Sequence, residues 1–74
     1  MTRHQFIERF ATGIDADPAT LNQDTVLAEL VGWDSVGHLA TIVLISEASG
    51  KNVDVDALRA CRSIGELLTL AGIA

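Results

Sequence analysis

The chain has no tyrosine, one tryptophan and two phenylalanines, so a folded core has to be built from aliphatic side chains rather than rings. Its single cysteine, Cys61, excludes an internal disulfide, and two histidines, His4 and His38, are too few to assemble a metal-ligand spacing. Basic residues are scarce. Five Lys and Arg against ten Asp and Glu leave a formal net charge of -5, which repels phosphate backbones and anionic lipid. It argues against nucleic acid or a membrane surface as partner and for basic proteins instead. Long apolar runs are missing too: the longest, Ile42 to Ile45, is far too short to span a bilayer, and Met1-Thr2-Arg3-His4-Gln5 leads into no secretion signal. With the lone thiol, these absences make a reducing, cytoplasmic compartment the expectation.

What is present is 74 residues, 49% hydrophobic and 20% charged, which suits a single small domain over residues 1–74. Thr2 and Gln5 have the form of a capping box, in which each side chain satisfies an orphan backbone donor at a helix start. Phe6, Ile7, Phe10 and Ala11 then make one apolar stripe, and Gly13 offers a stop. From Ile14 to Asp34 the pattern is broken by Pro18, Asn22, Asp24 and Gly32. Only Leu21, Val26, Leu27, Leu30 and Val31 are left for burial, with a short helical turn expected around Val26 to Val31. A connection this long exceeds the usual limit of about 12–15 residues and directs attention to its end, Gly32-Trp33-Asp34-Ser35.

A second helix is expected from Asp34 or Ser35 to about Ser49, with Gly50 able to take the left-handed conformation that ends it. At about 100° per residue it carries two apolar stripes: Val36, Leu39, Ala40 and Val43 on one side, Ile42 and Ile45 with His38, Thr41 and Ser49 on another. One stripe suffices for a core, so the other predicts an exposed patch for a partner. A short helix near Asp56 to Ala60, capped by Asp54, follows. A last helix is announced by a second capping box at Ser63-Ile64-Gly65-Glu66, with Ile64, Leu67, Leu68 and Ala71 at helical spacing before Gly72. No strand-like alternation of any length intervenes. The expected fold is all-α, a small bundle of three main helices and one short one, with a long loop between helices 1 and 2.

On spacing alone, Asp34 and Ser35 read equally as an ordinary N-cap. However, Gly32-Trp33-Asp34-Ser35-Val36-Gly37-His38-Leu39 resembles the phosphopantetheine attachment motif of acyl carrier proteins, whose core is Asp-Ser-Leu at the start of the second helix. Other pieces match in order: Leu27 and Leu30 before the motif, Ile45-Ser46-Glu47 and Gly50 after it, and Ser63-Ile64-Gly65-Glu66-Leu67-Leu68 opening the last helix. The resemblance covers nearly the whole chain.

That resemblance implies a free-standing, non-catalytic and monomeric carrier with an acyl-carrier-like bundle. Ser35 would receive a covalent 4'-phosphopantetheine from coenzyme A through a phosphopantetheinyl transferase, Asp34 helping to hold that enzyme's magnesium. Acyl groups would then be carried as thioesters between acyl-loading and acyl-consuming enzymes of fatty-acid, polyketide or other specialised biosynthesis. Val36, Leu39, Ala40, Val43 and Glu47 would form the face shown to those enzymes, with Ile42, Ile45 and His38 lining the interior. Two departures stand out. Ala40 and Ser46 occupy positions that many fatty-acid carriers fill with acids, so docking should lean on apolar contact, and Val36 replaces the usual leucine. The Gly-Trp-Asp-Ser form resembles dedicated carriers of specialised pathways, and a carrier of a single amino acid stays open. The reading from another class is an unmodified helical protein–protein interaction domain. A Ser-His-Asp hydrolase built on Asp34, Ser35 and His38 lacks the material for a cleft with an oriented base. Cys61 reads as a small buried side chain, and Trp33 either packs the loop end on the bundle or meets a partner.

Overall fold

In the computed structural model, which describes residues 1–73, the first helix α1 runs Arg3–Gly13 and opens on the expected capping box. The Thr2 N–H donates to Gln5 Oε1 at 2.9 Å, and the Gln5 N–H donates to Thr2 Oγ1 at 3.1 Å. It stops at Gly13 as expected, but Gly13 does not supply the left-handed residue. That residue is Asp15, φ 56°. The Ala16 N–H reaches the Ala11 carbonyl at 2.8 Å and the Asp15 N–H reaches that of Thr12 at 3.3 Å, the paired bonds of a Schellman closure. Gly13 serves the packing of helices instead. A Cβ there would stand 3.1 Å from the Ala40 Cβ, so its bare backbone lets α1 approach the following long helix closely.

The long connection holds two 3-10 turns, Pro18–Thr20 and Leu27–Glu29, the second lying where a turn was expected. Leu21 and Leu27 are buried in the core, Leu30 is half-buried, and Val26 and Val31 are exposed, against the expectation that they were available for burial. The connection is instead fastened by its backbone. Val26 pairs in an isolated antiparallel bridge with Ser63. The Leu27 N–H donates to the Arg62 carbonyl at 2.9 Å, and the Gly65 N–H to that of Gln23 at 2.8 Å. These long-range bonds satisfy loop groups that would otherwise be orphaned against the bundle.

Helix α2 spans Ser35–Ser49 and ends on Gly50, φ 71°. Its inward row is Gly37, Thr41, Leu44 and Ile45, with Ile42, His38 and Ser49 only half-buried; Leu44 replaces Ile42 as the deeper residue. Thr41, buried without a charged partner, donates its hydroxyl to the Gly37 carbonyl at 2.8 Å. Helix α3, Val55–Ala60, is capped by Asp54 as expected. Helix α4, Ile64–Leu70, opens on the Ser63–Glu66 box and gives way to Gly72 at φ 76°. The described residues contain four α-helices and no strand, wrapped round an aliphatic core centred on Leu27, Ile45, Leu58, Ile64 and Leu67, with Phe6 and Phe10 its ring contribution. No helix is long and apolar enough to cross a membrane among the described residues.

Candidate functional site

The junction of the long connection with α2 is held by glycines. A Cβ at Gly32 would lie 2.1 Å from the Ile14 carbonyl oxygen, and one at Gly37 would lie 2.2 Å from the Gly32 carbonyl oxygen. The end of α1, the loop end and the first turn of α2 are thus stacked backbone on backbone, at separations no side chain permits. Trp33 settles on the same junction. Its ring centroid is 5.8 Å from that of Phe10, and His38 stands edge-on to it at 4.3 Å. The indole therefore packs the loop end onto the bundle, while staying half-exposed. His38 is half-buried beside the indole.

Capping at this point falls to Asp34 alone. Its Oδ1 accepts from the Gly37 N–H at 3.0 Å, and its carbonyl accepts the first helical bond, from His38, at 2.8 Å. Ser35 is the first residue of α2 and is exposed, with its hydroxyl free of the capping duty. Asp34 is thereby committed to a backbone donor, and His38 to the Trp33 ring.

Two hollows flank Ser35. One, of about 460 Å³, is lined by Ile14, Asp15, Val31, Asp34, Val36 and the glycines Gly13, Gly32 and Gly37. The other, of about 310 Å³, is a groove between α2 and α3 lined by Ser35, His38, Leu39, Ile42, Val55, Leu58 and Arg59. Val55, Leu58 and Arg59 were not singled out from the sequence. Their spacing, i, i+3 and i+4 on one helix, was the signal available.

The residues expected to face partners separate into three groups. Val36, Leu39 and Val43 form a continuous exposed stripe, 71%, 65% and 57% accessible. Ala40 is half-buried and lies on the Gly13 side of α2, so it belongs to the α1–α2 contact at least as much as to the outer face. Glu47 is exposed but ion-paired to Arg9 of α1, so the one carboxylate of α2 is already neutralised within the chain. Val31, fully exposed beside the first hollow, extends the apolar surface in a direction not foreseen.

Cys61 is half-buried, its thiol donating to the Ala57 carbonyl at 3.4 Å. Burial, and after it the charge of Glu66, pushes this thiol above its ordinary value. A protonated, partly covered thiol is a poor nucleophile.

Comparison with known proteins finds no matching family model, no similar curated protein and no similar solved structure. Chemically, the site offers an exposed hydroxyl at the start of a 15-residue helix, whose dipole and free N–H groups favour an anion, with an apolar groove on one side and an apolar stripe running away from it.

Proposed function

We propose that this chain is an acyl carrier, with Ser35 the attachment point of a phosphopantetheine arm transferred from coenzyme A. The observation that carries the reading is the division of labour at the start of α2: Asp34 makes the cap bond, so the neighbouring Ser35 hydroxyl is not needed for it and stands exposed. A serine retained only to cap would occupy the position that Asp34 holds. The residues present fit such a group, since the hydroxyl is reachable by a transferase, the helix terminus favours a phosphodiester, and a groove opens at the same residue. When attached, the arm supplies a terminal thiol able to hold an acyl or aminoacyl group as a thioester.

Asp34 keeps α2 started and places a carboxylate beside the modified oxygen, where it can contribute to holding a transferase's magnesium. Gly32 and Gly37 hold that start rigidly against α1. Val36, Leu39 and Val43 give acyl-loading and acyl-consuming enzymes an apolar strip directly after Ser35. Because Arg9 neutralises Glu47, this strip carries little charge of its own, which supports docking by apolar burial rather than by electrostatic steering.

The same exposed strip favours a second reading, an unmodified interaction domain that binds one partner. Ser35 separates the two. Incubation with coenzyme A, magnesium and a promiscuous phosphopantetheinyl transferase is expected to add the mass of one phosphopantetheine to the wild type and nothing to Ser35→Ala, as read by intact-protein mass spectrometry. Ser35 is exposed and not the cap, so Ser35→Ala should melt within about 0.5 kcal/mol of the wild type. No mass gain in folded wild-type protein with two different transferases would discard the carrier reading and leave the interaction domain.

A further inference from the structure

Among the cations of this chain, Arg59 has a singular placement. It lies in the last turn of α3, 24 positions after Ser35 in the chain, yet lines the same groove as Ser35. The other lining residues are apolar apart from His38, which is engaged with Trp33. Acids outnumber bases ten to five, yet Arg59, like Arg3, Lys51 and Arg62, forms no ion pair among the described residues, and what sets it apart is that it lines this groove. Fixed negative charge already sits one residue from Ser35, on Asp34, which caps α2 and lines the neighbouring hollow. A further negative group on Ser35 would be repelled by that carboxylate and by a net charge of -5. An arginine facing the same groove offsets that repulsion and offers a planar fork of donors suited to two oxygens at once.

Resting on the carrier reading above, we propose that Arg59 is an anion-recognising residue of the α2–α3 groove that contacts an oxyanion of whatever Ser35 carries. Two parts of such a group have this chemistry, the phosphodiester at its root and a carboxylate at the far end of an acidic acyl cargo. Either use keeps the attached group along the α2–α3 groove and makes Arg59 a determinant of which cargo rests there. The competing role is purely local: a cation in the last turn of α3 complements the helix C-terminal dipole.

The test uses the full chain in four forms: unmodified, carrying the bare arm, and carrying the arm loaded with butyryl or with succinyl. Mass spectrometry first verifies each loading. The side-chain Nε–Hε resonance of Arg59 and the 31P resonance of the diester are then followed by NMR, in wild type, Arg59→Lys and Arg59→Gln. The expected result is an Arg59 shift on attachment or loading, accompanied, where the diester is the oxyanion, by a 31P resonance displaced by Arg59→Gln but only partly by Arg59→Lys. A shift present already with the bare arm assigns the diester as the oxyanion, and one that appears with succinyl but not butyryl assigns the cargo carboxylate. An Arg59 resonance unmoved through all four forms, with 31P insensitive to Arg59→Gln, would overturn the proposal while leaving the carrier reading intact, and lower thermal stability in Arg59→Gln would then mark the local role. Failure to take up any arm would overturn both together.

Discussion

A methyl group added at Gly37 would fall 2.2 Å from the Gly32 carbonyl oxygen, a backbone atom that cannot swing aside as a side chain could, and 3.2 Å from the Ile14 Cγ2. Gly37→Ala is therefore expected to cost about 1–3 kcal/mol through overpacking, read as a lower urea midpoint, and to loosen the start of α2 on which Ser35 sits. Gly50 presents the opposite case. It has open space around its Cβ position but a left-handed φ of 71°, so its replacement is resisted by conformation and not by contact. Cys61 shows how burial tunes a single group. Its raised pKa keeps the thiol protonated to higher pH than a free cysteine, so alkylation of the native protein at mildly alkaline pH should lag behind that of the urea-unfolded chain. The linked stability has a definite sign. It is fully present below the ordinary thiol value and is lost as pH rises towards the raised value, because the unfolded chain ionises first.

The helices differ in how they are held. α1 and α4 are each opened by a reciprocal capping box, α3 by Asp54 and α2 by Asp34, so every helix start carries its own side-chain acceptor. The α1–α2 pair adds the Arg9–Glu47 bridge, with both side chains about half exposed. A double-mutant cycle on Arg9→Ala and Glu47→Ala should give a coupling of roughly 0.2–1 kcal/mol, diminished at high salt where the screening length shrinks to about 3 Å. On the carrier reading proposed above, transfer to partner enzymes should respond to this pair far less than to the apolar strip. α3 is short, and its fully buried Leu58 anchors it to the bundle, because a six-residue helix has little stability of its own.

At the scale of the whole molecule, apolar surface is divided between a core and an outer strip that the chain itself does not cover. Leu39 and Val43 lie on that strip, so replacing both with Asn should change folding stability by no more than about 0.5 kcal/mol per site in thermal melts. Covering one such side chain at an interface contributes about 1.5 kcal/mol or more, so on the carrier reading proposed above the same double variant is expected to lower the kcat/KM of a loading or consuming enzyme roughly tenfold or more. A fall in stability with unchanged transfer would place these residues in the fold and not at an interface. Phe10→Ala should do the reverse. It removes a fully buried ring that also supports Trp33, at a cost of about 3–5 kcal/mol, a large part of the total stability expected of a chain this size.

The helices and their boundaries were legible in the sequence because their causes are local: Thr2 with Gln5, Ser63 with Glu66, Asp54, and Gly50 each act within a few residues of the turn they shape. Ser35 was legible as a helix start for the same reason, and as a candidate site only through the resemblance of the residues around it to a carrier motif. Contacts distant in sequence were not legible. That Gly13 stands bare beside Ala40, while the left-handed residue falls on Asp15, depends on how α2 packs against α1. That Glu47 is neutralised follows from Arg9 arriving 38 positions away, and that Val26 is held by a backbone bridge to Ser63 follows from the path of the loop. The groove shared by Ser35 and Arg59 exists only once α3 has docked on α2. Local capping and periodicity determine where helices begin and which faces are apolar, but which of two apolar faces is buried depends on what packs against it, and that is decided only when the helices meet.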